Sequence, residues 1–356
     1  MKPTDRKRTM KSGVASLLLS AFVAGSAFAA KTPVDYVNPY MGNISHLLMP
    51  TFPTVHLPNG MMRVYPVRGS YTESRVNGLP LLVVNHRECQ AFNLSATQSS
   101  GADDTLPYSI VTDYDNEEIT PYYYATDIDG QNIRAEFTPA AHSAVYRLSP
   151  DPEGGDMTLI LNARNGEMNI DGRSMSGYQY SWGGIKVYIY AEVDRVPVRS
   201  GVLAGGSMSD RTAGSGDEAC AVMTFDSTLP VEMRYGVSYI DAAQARENMK
   251  REIGGLSFDK VKAQARSEWN DELGKIMVEG GTEADKEVFY TSLYRCYERP
   301  VDIAEYGRYF SPADRRVHEG AHHYTDDWLW DTYRATHPLR ILLSESREAD
   351  MLNSLI

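Results

Sequence analysis

The sequence predicts a mainly β protein with helices appended: an N-terminal antiparallel β-sandwich, then a helical region. Three observations predict it. From about Pro33 to Tyr239 the chain reads as short alternating runs with no helical periodicity among them. Turn dipeptides fall between those runs: Asp129-Gly130, Gly154-Gly155, Asp171-Gly172, Gly183-Gly184 and Gly205-Gly206. After Asp241 the apolar spacing lengthens to three or four residues. The 356 residues, 42% hydrophobic and 23% charged, give room for one large domain or two and exclude low-complexity or collagen-like content.

Taken in order, the first element is a targeting signal. Lys2, Arg6, Lys7, Arg8 and Lys11 form a basic head, Val14 to Val23 an apolar run, and Ala27-Phe28-Ala29 a small-x-small cleavage site. The run is too short for a bilayer, which takes about 20 apolar residues. A secreted or periplasmic protein cleaved after Ala29 is therefore expected, with no membrane span in the mature chain. The net charge of -12 becomes more acidic once five basic residues and Asp5 leave with the signal. Such a balance argues against a nucleic-acid partner, which needs a basic face. Cys89, Cys220 and Cys296 permit at most one disulfide and no zinc framework of paired cysteines.

Within the sandwich, Met157 to Leu161, Lys186 to Val193 and Val231 to Tyr239 are the clearest strands. Asp241 can cap a first helix that stops at Gly254-Gly255, and Ser257 a second with the stripe Val261, Ala265, Trp269, Leu273 and Ile276. A third begins near Thr282 and ends before Pro300. A loop follows, then helical signals from Thr325 to Leu343, bent or split at Pro338. Ser344 can cap a last segment whose apolar face (Met351, Leu352, Leu355, Ile356) needs a partner, as if the chain were truncated.

Two stretches carry chemistry. His318-Glu319-Gly320-Ala321-His322 matches the HExxH zinc pattern, which needs both His one turn apart on a helix. Gly320, the preceding Arg315-Arg316 and the missing apolar stripe favour a solvated loop instead. The run Tyr324 to Arg334 combines acids with Trp328 and Trp330. Carbohydrate sites stack a flat ring on the sugar and grip its hydroxyls with carboxylates. Asp327 and Asp331, four apart, would share one helical face, with Arg334 three beyond. Spacing alone favours the plainer alternative, a helix N-terminus with favourable acids and buried Trp rings. The 23 Tyr against 9 Phe fit a sugar-handling surface and an exposed sheet equally. The chain has no phosphate-cradling Gly loop and no GxSxG elbow.

Three stretches together resemble glycoside hydrolase family 92, the secreted, calcium-dependent α-mannosidases. They are Val37 to Gly42 with Thr51-Phe52-Pro53 and Leu57 to Met61; Ala242 to Glu279 leading into Phe289 to Tyr294 and Pro300; and Trp330-Asp331-Thr332 with Arg334, Pro338-Leu339 and Met351 to Leu355. The resemblance implies a signal peptide over 1–29, a β-sandwich over 30–240, a helical linker over 241–281 and, over 282–356, the first helices of an incomplete (α/α)6 barrel. It implies inverting hydrolysis of α-mannosides, with two carboxyl groups about 6.5–9.5 Å apart to admit a water. Family members are about twice this length, so the catalytic acid and base and most calcium ligands are expected outside this chain. Only a substrate-binding role carries over, to Asp331 with Trp330, toward α-mannose-containing glycans. His46 to Pro50 and Gly78 to Glu88 depart from the family's pattern. The leading expectation is thus a truncated secreted glycosidase. The alternatives are a non-catalytic glycan-binding module and a zinc hydrolase through His318 and His322.

Overall fold

The computed structural model describes residues 30–44, 51–69, 72–84, 90–99, 110–204, 206–216, 219–226 and 229–356. The signal segment, His46 to Pro50, Asn85 to Glu88, Cys89 and Gly205 lie outside them.

Two antiparallel sheets form the first part. A ten-stranded sheet runs, in spatial order, Ala213–Gly216, Gly166–Asp171, Ser174–Tyr180, Lys186–Val193, Val231–Ser238, Ser143–Pro150, Ile133–Pro139, Tyr123–Ile128, Val111–Thr120 and Arg75–Asn77. A six-stranded sheet runs Ser207–Ser209, Arg199–Ala204, Ala219–Phe225, Asp156–Ala163, Gln90–Ser99 and Leu79–Val83. Their inner faces share one core. Lys186–Val193 shows how the sequence builds it: Val187, Ile189, Ala191 and Val193 are buried and the residues between them half-buried, the alternation a pleated strand imposes. Two core tyrosines also tie the sheets with hydrogen bonds. Tyr146 and Tyr235 of the larger sheet donate to the carbonyls of Pro80 and Leu81 in the smaller one, at 2.7 and 2.8 Å. A buried phenol needs such a partner.

Helices α1 (Ala242–Ile253) and α2 (Phe258–Leu273) cover part of the outer face of the larger sheet. Met249, Ile253, Phe258 and Val261 bury there against Tyr123, Ala125 and Val145. Each such side chain contributes about 1.5–3 kcal/mol. Asp241 caps α1 by accepting from the Gln244 amide at 2.7 Å, and Ser257 accepts from the Lys260 amide at the start of α2, as the sequence predicts. The backbones approach closely at Gly236, where a Cβ would lie 2.1 Å from the Ala245 carbonyl.

Helix α3 (Glu283–Arg295) starts with a Thr282–Asp285 capping box and packs Leu293 and Tyr294 around Trp269. The early segment 33–42 is laid onto these helices. Val34 donates from its amide to Asn270 at 3.1 Å, Asn38 to Thr291 at 2.9 Å, and Asp35 pairs with Arg266 at 2.8 Å.

Two expectations need correction. The stretch after Pro300 is not a plain loop: Val301–Asp302 pairs with Tyr324–Thr325, and Arg308–Ser311 with Arg316–Glu319. Thr325 is accordingly in a strand, and the next helix, α4, spans only Leu329–Thr332. The helical signal divides at 333–335, ahead of α5 (Thr336–Leu343). Pro338 sits inside the first turn of α5, where a missing N–H removes no intrahelical bond. Helix α6 (Glu345–Asn353) follows; Ser344 stands at its N-cap without a side-chain cap bond. No helix among the described residues is long and apolar enough to cross a membrane.

Candidate functional site

The turn between strand Tyr324–Thr325 and α4 carries the residues singled out above, and its geometry is set by two consecutive aspartates. Asp326 adopts a left-handed backbone (φ +63°), which costs a non-glycine residue about 1–2 kcal/mol and needs outside contacts to persist. Its carboxylate accepts from Arg63 at 2.7 Å and lies 3.5 Å from Arg299. Asp327 turns inward. One oxygen accepts from the Trp328 amide at 2.8 Å and the Thr332 hydroxyl at 3.1 Å; the other faces His337 Nε2 at 2.9 Å. The opposite ring nitrogen of His337 faces Glu348.

With Asp327 held below, α4 presents Trp330 and Asp331 outward. Trp330 is 70% exposed, and Trp328 meets it edge to face, the centroids 6.0 Å apart. They border a cleft of about 450 Å³ that Thr332 also lines, with Arg295, Glu298, Arg299 and Cys296 from the end of α3, and Thr336 and Arg340 from α5. Glu298 is engaged by Arg295 at 2.5 Å. Burial pushes the Cys296 thiol up, and burial pulls the Arg340 guanidinium down against the opposing charges of Glu348 and Asp327. Arg340 donates to the carbonyls of Cys296, at 3.0 Å, and Arg299, closing the floor.

This arrangement differs from both sequence readings of the cluster. Asp327 and Asp331 do not share a helical face, because Asp327 precedes α4 and its carboxylate turns inward onto His337. The Trp rings are not buried either. An exposed ring beside an exposed carboxylate, across from guanidinium groups, can stack on an apolar sugar face and hydrogen-bond its hydroxyls. Arg63 had no signal in the sequence, lying 263 positions from its partner Asp326.

The HExxH match falls on a strand and the residues after it. His318 pairs with Asp314 at 2.9 Å, whereas His322 pairs with Asp302 at 2.6 Å. The helix that would set the two imidazoles one turn apart is not formed, and Glu319 lies on the same hairpin strand, away from the cleft's lining. Among the described residues no group of three or more His, Cys, Asp or Glu could hold a metal.

Residues 36–238 match the glycosyl hydrolase family 92 N-terminal domain, and residues 244–356 its catalytic domain. The chain belongs to glycosyl hydrolase family 92. Among solved structures, a family 92 inverting mannosidase from Bacteroides thetaiotaomicron is 27% identical, with a TM-score of 0.82 over 91% of this chain and 48% of its own. A family 92 α-mannosidase from the same organism is 22% identical with a TM-score of 0.82, again over 91% of this chain and 49% of its own, and shares the fold. An uncharacterized secreted glycosidase of Arthroderma benhamiae is 36% identical over 76 residues, 20% of this chain and 10% of that protein. The chain spans about half the length of these solved family 92 relatives.

Proposed function

We propose that this family 92 chain is exported and binds terminal α-mannose of glycans in the cleft beside α4, Trp330 stacking on the sugar and Asp331 accepting from its hydroxyls. The observation that carries the reading is the outward Trp330–Asp331 pair on α4, just after a turn whose two carboxylates are consumed by the protein. The mannosidase relatives supply the sugar class. Export rests on the basic, apolar and small-x-small order of residues 1–29 and on the secreted glycosidase relative.

Hydrolysis with inversion requires an acid and a base separated by a water. We assign neither to these residues: Asp326 is held by Arg63, Asp327 by Thr332 and His337, and Glu298 by Arg295. Calcium, a hard cation, takes about six to eight oxygen ligands. The carboxylates at the cleft do not fit such a shell, since Asp331 alone among them faces outward unengaged. Calcium has no fitting place among these carboxylates, and we propose that its ligands in family 92 come from outside these residues.

The test is calorimetric titration with methyl α-mannoside, together with mannose release from an α-linked mannobiose, with calcium and with chelator. Saturable binding without release is expected. Trp330→Ala should weaken binding about tenfold through the lost ring contact, with its melting temperature unchanged. Absence of binding overturns the sugar reading; release abolished by chelation overturns the assignment of the acid and base.

A further inference from the structure

We infer that Arg63, in the sandwich-side strand Arg63–Val64, is a positioning residue that fixes the sugar-binding turn from outside the helical region. The inference rests on the proposed function for what the turn does, and on geometry for how it is held. Arg63 is 5% exposed, and its guanidinium reaches three separate pieces of chain. Nε points to the Val83 carbonyl at 3.4 Å at the end of a sheet strand. Nη1 points to the Glu298 carbonyl at 3.3 Å beyond α3, and Nη2 donates to Asp326 at 2.7 Å. A planar guanidinium can address several acceptors in fixed directions, which an ammonium cannot.

The acceptor it chooses is the residue that most needs holding. Asp326 is the left-handed residue that turns the chain into Asp327, Trp328 and α4. Its backbone direction decides whether Asp327 reaches His337 and therefore where Trp330 and Asp331 emerge. A buried ion pair yields little net stability, because desolvation of both charges offsets their attraction. What remains is geometric: the pair selects one course for the turn and ties it to the sandwich. Asp331 and Trp330 are thus placed by a side chain that never touches the sugar.

The full chain and its Arg63→Met, Arg63→Lys and Asp326→Asn variants test this by methyl α-mannoside calorimetry and by amide hydrogen exchange. Asp326→Asn and Arg63→Met should weaken the sugar about tenfold. Both should speed exchange at Asp331, Thr332 and Tyr333, whose amides bond to Trp328 and Leu329, while the strands Lys186–Val193 and Val231–Ser238 keep wild-type rates. Arg63→Lys should recover part of both effects. Unchanged affinity and exchange in folded Asp326→Asn would overturn the inference, as would faster exchange spread evenly over the sheets. If the wild-type chain binds no mannoside, the proposed function fails separately. The exchange pattern then still decides the positioning role, because it requires no ligand. Asp326→Asn preserves shape, so it serves where Arg63→Met does not fold.

Discussion

Asp327 gives both carboxylate oxygens to protein partners, and this separates its role from that of Asp331 four residues later. Replacing Asp327 by alanine removes the carboxylate that the Trp328 amide, the Thr332 hydroxyl and the buried His337 ring share, leaving Thr332 and His337 Nε2 only each other at 3.0 Å. Chemical denaturation should show a loss of about 2 kcal/mol. A second residue-scale consequence concerns His142, which does not line the cleft, in the turn between strands Ile133–Pro139 and Ser143–Pro150. Its Nδ1 faces Glu252 of α1 at 2.7 Å and its Nε2 the Ala304 carbonyl at 3.0 Å. Burial alone would pull the ring down. The hydrogen bond and charge of Glu252, with Glu305 and Asp302 nearby, outweigh it and hold the imidazole above its ordinary 6.5. Glu252 also accepts from Ser143 and Tyr306, at 2.6 Å each, and is held below its ordinary 4.5 despite burial. The His142 contribution is complete below 6.5 and fades as pH rises through its raised value. The Glu252 contribution is complete above 4.5 and fades as pH falls through its lowered value. Melting temperature should therefore peak between those limits, and His142→Gln should flatten the decline on the alkaline side in a pH series of thermal melts.

At the scale of elements, Gly236 is where strand and helix come closest. Gly236→Ala should push α1 off the sheet and cost about 1–3 kcal/mol in denaturant titration. This approach was not legible in the sequence, because it depends on the Ala245 carbonyl of another element. The caps at Asp241 and Ser257 were legible, since a cap is chemistry among neighbours three residues apart. So was Lys186–Val193, whose alternation is a property of the strand alone. Pro338 misled in an instructive way: proline interrupts a helix interior but is tolerated in the first turn, and sequence alone did not locate that turn. The two-residue strands near 301 and 324 carry too few positions to show any period. The Trp330–Asp331 pair was legible as a motif, whereas the burial of Asp327 depends on His337 and Glu348 arriving from α5 and α6.

Across the whole molecule, the sandwich core, the helices on its outer face and the cleft are linked by polar contacts over long sequence separations. The segment 33–42 is one such case. Val34 meets Asn270 across 236 positions and Asn38 meets Thr291 across 253. During synthesis these early residues emerge long before the surface that receives them exists. Their bonds to Asn270 and Thr291 can form only after α2 and α3 have been made. An early segment thus docks late, and until then it stays open to other partners.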